Sequence, residues 1–146
     1  METHNLADWV GRSETVTDTA TPTPFAALSA TLDWPSERPA PGTPLPSLWH
    51  WLYFLPLHRQ SDIGADGHAK RGGFMPPVPL PRRMWAGSDF VFHQPLLIGD
   101  TLERTSTIAD VQEKTGRTGN LVFVKVRHEV RRNGSHEVAL TEHHNI

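Results

Sequence analysis

Ten of the thirteen prolines in this chain of 146 residues fall between positions 35 and 81. Proline lacks a backbone donor and restricts the residue before it, so no long helix or central strand fits there. Regular structure has to come from the two flanks. Yet the proline-rich stretch contains LWHWLYFLPL (48–57), which is too apolar for a solvated linker. SDIGADGHAKRGG (61–73), which follows, has the composition of an exposed loop. A long irregular segment that carries bulky aromatics suits a lid or a pocket wall better than a tether.

Downstream of Trp85 the pattern is β. In LVFVKVRHEV, Val122, Val124, Val126 and Val130 share one face, with Leu121, Phe123, Lys125 and Arg127 on the other. That alternation predicts a long, half-buried antiparallel strand. KTGRTGN before it and RNGS after it supply turn residues, and Asn133-Gly134 favours a tight hairpin. DTLERTSTIADVQ is the expected preceding strand and EVALTEHHNI the following one, so the carboxyl-terminal half reads as a meander of about four strands. Upstream, Asn5 can cap a turn over Leu6–Val10 that Gly11 ends, and SETVTDT (13–19) reads as an edge strand. Thr21 followed by Pro22 opens a helix over 22–33, with Phe25, Leu28 and Leu32 on one stripe. It is the sole sizeable element available to cover the twisted sheet. The fold class is α+β, in a single domain spanning 1–146.

Charge and composition narrow the function. A net charge of -2 gives no broad basic surface for nucleic acid or anionic lipid. With no cysteine there are no disulfides, thiolate metal sites or thiol nucleophiles. METHNLADWV lacks the basic and apolar regions of a signal peptide, and no stretch approaches the roughly 20 apolar residues of a spanning helix. A soluble, cytoplasmic protein is the expectation.

FVFHQPLLIGDTL (90–102) is the most informative motif. Pro95 ends one strand, Gly99 allows a tight bend, and Asp100 can accept from backbone N–H groups of the turn before Leu102 re-enters the sheet. His93 is therefore expected at a strand end in a structural role. Together with DWVGRSETVTDTATP, PSLWHWLYFLP and the long run from GGFMPPVPLPRRMWAGSDF to VRHEV, this element resembles the hotdog fold of the MaoC-like hydratases and dehydratases. The resemblance is to the amino-terminal hotdog half of double-hotdog dehydratases, a group that includes mesaconyl-CoA and itaconyl-CoA hydratases. It implies a coenzyme A thioester as substrate and no further cofactor.

Hydration of an enoyl thioester needs a base to activate water, an acid to protonate the α-carbon, and polarisation of the carbonyl. The resembled enzymes supply an Asp with a His five positions later, before the central helix. Here no Asp or Glu is followed five positions later by His, and SETVTDTATPTP contains no histidine. In the family that pair belongs to the carboxyl-terminal hotdog. The resemblance thus implies a half without catalytic residues, and the end at Ile146 within a strand suggests a piece of a longer protein or a catalytic partner on another chain. Trp49, Trp51, Tyr53 and Trp85 are candidates to line an acyl or adenine pocket, although such aromatics often just fill cores. Arg82 and Arg83 are candidates to hold coenzyme A phosphates, since guanidinium forks match phosphate oxygens. Metal binding is not expected: His143 and His144 are adjacent on a strand and point to opposite faces, and His50 and His58 lack helical zinc spacing.

Three functions fit this reading: half of an acyl-CoA hydratase or dehydratase working with a second, catalytic hotdog in cis or in trans; a thioester-binding module without chemistry; or a dimerisation domain.

Overall fold

A computed structural model describes residues 5–117 and 119–146. The first four residues of METHNLADWV and Thr118 of the KTGRTGN turn lie outside the described residues. Five antiparallel strands form one sheet: β1 (Ser13–Thr19), β2 (Gly87–Phe92), β3 (Thr101–Gly116), β4 (Gly119–Arg132) and β5 (Val138–Asn145), in spatial order β1-β3-β4-β5-β2. Among the described residues the one α-helix, α1, runs Pro22–Thr31.

Strands β3, β4 and β5 form the expected meander, but β2 departs from it. It pairs with β5 at the far edge, Phe90 opposite Glu142, and not with β3. Pro95 lacks a ladder donor, and the residues after it carry the chain beneath the sheet. Leu97 bridges to Pro44, and Gly42 donates to the Ile98 carbonyl. The direct β2–β3 hairpin is thereby lost to a crossover. After β4, Asn133 (φ 50°) and Gly134 (φ 74°) are both left-handed, the central pair of a turn closed by the Ser135 N–H on the Arg132 carbonyl. The loop runs on to Val138, however, and is longer than the expected tight hairpin. Register shifts near Ala109 in β3 and Ala139 in β5 each insert one residue, which sharpens the twist.

Asp100 secures the crossover. Its Oδ2 accepts from the Leu97 N–H at 2.9 Å, and its Oδ1 accepts from Asn133 Nδ2 at 3.0 Å and Arg132 Nη2 at 3.2 Å. Burial pushes its carboxyl up, yet the hydrogen bonds from Arg132, Leu97 and Asn133 outweigh this and hold it below the usual aspartate range. Gly99, at φ 95°, lets the turn approach Ala20, whose carbonyl accepts its N–H at 2.9 Å.

Helix α1 covers less of the sheet than its pattern implies. Phe25 and Leu28 pack against the core, but Leu32 is 47% exposed, because the helix ends at Thr31 and Asp33 turns left-handed at φ 59°. Its fully buried residue is Ser29, whose hydroxyl donates back to the Phe25 carbonyl at 2.8 Å. The proline-rich segment makes up the difference. Trp49, Tyr53 and Phe54 enter one hydrophobic cluster with Leu102, Val130 and Leu140, while Phe74, Met75 and Val78 cover a second around Ile108, Val124 and Val126.

Candidate functional site

Between those two clusters the inner face of the sheet turns polar. Strand register places Ser106, His128, Glu142 and Phe90 in one row across β3, β4, β5 and β2. Arg104 and His144 stand one pleat to either side. Opposite this row lies the 3₁₀ turn Trp49–Leu52, bracketed by two non-glycine residues in left-handed conformation, Leu48 (φ 75°) and Phe54 (φ 59°). Such outliers persist only where contacts enforce them. Here the Phe54 N–H donates to Asp18 at 2.9 Å, and the Tyr53 hydroxyl donates to the Thr21 carbonyl at 2.6 Å.

Glu142 ties the two sides together. Its Oε1 accepts from His50 Nε2 at 3.0 Å, and the Trp51 indole N–H is shared between its two oxygens at 3.2 and 3.1 Å. Glu142 is 4% exposed and His50 5%. Burial pushes the Glu142 carboxyl up, but the hydrogen bonds from His50 and Trp51, with the charges of His50 and His128, leave it below the ordinary glutamate range. His128, 2.7 Å from the Ser106 hydroxyl at Nδ1, is pushed down to about 4 by burial and by Arg104, against the pull of Glu142.

The two sides enclose a slot of about 460 Å³. Trp51, Tyr53, Phe54, Leu55 and Pro56 form its apolar wall, Arg104, His128, Glu142 and His144 its floor, and Trp85, 59% exposed, its rim. The guanidinium of Arg104 stacks over Phe54, 5.1 Å from the ring centroid, and its buried Nε has no hydrogen-bond partner among the described residues.

Of the residues singled out in the sequence, Trp51, Tyr53 and Trp85 meet at this slot. Trp49 does not reach it. It is buried behind the wall, edge-on to Phe25 at 4.9 Å and stacked on Trp34 at 5.3 Å. Arg82 and Arg83 line a separate cleft of about 540 Å³ between the proline-rich segment and the far end of β4, where Arg83 lies 3.6 Å from Asp66. His143 turns to the outer face, 3.0 Å from Asp89, while His144 faces inward, 6.2 Å from the His128 ring. His93 is exposed just beyond β2, its N–H donating to the Ala139 carbonyl at 2.8 Å.

Sequence reasoning passed over the floor. The signal was present: Arg104 and Ser106 fall in phase with Leu102 and Ile108, His128 with Val126 and Val130, and Glu142 with Leu140. A polar residue in the buried phase of a strand must find partners or serve a site.

Among the described residues, the five-stranded sheet and the one helix packed on it have the layout of a hotdog fold, and comparison with known proteins says which family carries it. The chain belongs to the hydroxyacyl-thioester dehydratase type 2 family, whose profile matches residues 48–146. It is 46% identical over 130 residues to the mesaconyl-C(4)-CoA hydratase of Chloroflexus aurantiacus, an alignment that covers 89% of this chain and 46% of that enzyme. The chain thus spans about half the length of that relative. Among solved structures, the unliganded R-hydratase PhaJ1 of Pseudomonas aeruginosa superposes with a TM-score of 0.55 at 12% identity, over 93% of this chain and 79% of that one. The MaoC-like dehydratase of Rhodospirillum rubrum gives 0.50 at 14% identity, over 93% and 89%. At these identities the likeness speaks for the hotdog fold.

Proposed function

We propose that this chain is the substrate-tunnel-forming, non-catalytic hotdog half of an acyl-CoA hydratase or dehydratase, one that adds water reversibly to an enoyl-CoA such as mesaconyl- or itaconyl-CoA. It works in the cytoplasm with a second, catalytic hotdog in cis or in trans. The observation that carries this reading is the state of the His–carboxylate pair in the slot. Both Glu142 oxygens already accept hydrogen bonds, and the carboxylate is almost fully buried. A general base has to reach a water, and a general acid the α-carbon. Glu142 is committed to holding His50 and Trp51 instead. Ser106, 1% exposed, is equally closed to attack on a thioester.

What remains open suits binding. Trp51, Tyr53 and Trp85 offer an apolar wall and rim to an acyl chain, with Trp49 buttressing them from behind, and Arg82 and Arg83, which line the neighbouring cleft, are the proposed contacts of coenzyme A phosphates. Edge strand β2 presents Val91 and Phe92, 51% and 47% exposed, to a second hotdog.

The test follows loss of enoyl-thioester absorbance with the purified chain and mesaconyl-, itaconyl- or crotonyl-CoA. The expected result is no turnover by the chain alone. Turnover within tenfold of ordinary enzymes, about 1–1,000 per second, overturns the non-catalytic reading and puts His50 and Glu142 first among candidate acid–base groups.

A further inference from the structure

We propose that Arg104 is the specificity residue of the slot, receiving the free carboxylate of a dicarboxylic acyl group while the apolar wall takes its carbon chain. The inference rests on the reading that the slot holds an acyl thioester of the mesaconyl or itaconyl kind, and it adds the residue that recognises the free carboxylate of the acyl group.

The argument starts from an imbalance on the slot floor. A half-buried guanidinium ordinarily has a carboxylate or several carbonyls against its five donors. Arg104 forms no hydrogen bond or ion pair with any described residue, and its Nε is buried without a partner. Its one specific contact is the Phe54 ring, which takes a face of the guanidinium and leaves the N–H edges free. The two nearby carboxylates do not discharge it. Glu142 spends its oxygens on His50 and Trp51, and Glu14, exposed on edge strand β1, acts on it only through its charge. Burial pulls the guanidinium below its ordinary value, opposed by those two charges, but an arginine remains cationic throughout the working range of pH. His128, the slot histidine whose charge Arg104 opposes, is held neutral above about pH 4 and contributes no competing charge there.

A floor that offers one unpaired planar cation beneath an aromatic wall is complementary to a short apolar chain ending in a carboxylate. Guanidinium and carboxylate form two parallel hydrogen bonds, and beside a half-buried guanidinium such charge-assisted bonds are stronger than in bulk water. An uncharged acyl chain leaves Arg104 desolvated and unpaired, so the slot rejects it as well as failing to attract it. A phosphate of coenzyme A is the competing anion. It is disfavoured because it would have to shed its hydration to enter a slot walled by Trp51, Tyr53, Phe54 and Leu55.

The experiment measures binding of succinyl-CoA and butyryl-CoA to the chain by quenching of tryptophan emission, with Trp51 and Trp85 as reporters. The two thioesters share every phosphate and differ in the terminal carboxylate. The wild-type chain is expected to prefer succinyl-CoA by about 10- to 100-fold, the range for a hydrogen bond to a charged partner. Arg104→Gln should abolish the preference by weakening succinyl-CoA alone. Arg104→Met, which keeps the stem against Phe54, should do the same, and Arg104→Lys should retain part of it; unchanged thermal melts would confirm that all three fold. Equal affinity of the wild type for both thioesters, or a preference that survives Arg104→Gln, overturns the proposal and leaves the thioester reading intact. Equal weakening of both by Arg104→Gln assigns the residue to a coenzyme A phosphate and also overturns it. If neither thioester binds, the thioester reading falls and takes this assignment with it.

Discussion

His50 and Glu142, 92 residues apart in the chain, meet at 3.0 Å on the inner face of the sheet. With the Trp51 indole on the same carboxylate, this contact fastens the proline-rich segment over β5 and sets the height of the slot. Glu142→Gln keeps the shape but removes the charge and turns one acceptor into a donor facing donors. It is expected to cost about 1–3 kcal/mol in stability and to change Trp51 emission before global unfolding. Urea denaturation followed by tryptophan fluorescence and by far-ultraviolet circular dichroism checks both.

His128 should make stability depend on pH in a definite window. Its folded pKa of about 4 lies below the ordinary 6.5, so between those values the unfolded chain binds a proton that the folded chain does not. Stability is therefore full above about pH 6.5 and falls as the pH drops towards 4, by an amount of order 3 kcal/mol. Arg104, Glu142, His144 and His50 are the charged or titratable groups acting on it. The carboxyls of Glu142 and Asp100 are depressed, and their contribution goes only at lower pH, as each passes through its own folded value. Melting temperatures from pH 7 to 4 should decline in the wild type and decline less in His128→Gln.

The tryptophans should separate by position. Trp49→Ala removes a buried ring stacked on Trp34 and edge-on to Phe25 and is expected to cost about 3–5 kcal/mol. Trp51→Ala and Trp85→Ala, at the wall and rim, should instead weaken thioester binding. In the proposed assembly with a second, catalytic hotdog they should raise KM more than they lower kcat. Melts and steady-state kinetics on the three variants distinguish the roles.

In the FHQPLLIGD element, stability should reside in Asp100 rather than in His93. Asp100→Ala strands Arg132, Asn133 and the Leu97 N–H together and is expected to lose about 2–4 kcal/mol. His93→Asn changes an exposed side chain whose nearest polar contact, Thr141 Oγ1, is at 3.5 Å, so the expected loss is under about 0.5 kcal/mol. That is smaller than a buried strand-end histidine would give. A hundred-fold fall in kcat of the complete enzyme for His93→Asn with an unchanged melt would contradict the structural role.

Strand content and turns were legible in the sequence because they follow from neighbours along the chain. The valine alternation of β4, the left-handed turn at Asn133-Gly134 and the Pro95–Asp100 turn all stand in the structure where local rules put them, although the loop after Gly134 is longer than a tight hairpin. Trp51, Tyr53 and Trp85 could be nominated for a pocket because they lie in or beside an irregular proline-rich segment, but the same run also fills the core through Trp49 and Phe54. The partnership of β2 with β5 was not legible: a strand ending at a proline can pair back or cross over, and only long-range contacts such as Pro44 with Leu97 choose between the two. Nor could the sequence show that Leu32 stays outside while Trp49 fills the space beneath the sheet. The slot floor was hidden for the same reason. Arg104, His128 and Glu142 come from three strands, and His50 from a segment without periodicity. Their phase in the strands marks them as inward-facing, but which one is satisfied and which is left unpaired depends on distances that tertiary packing alone sets.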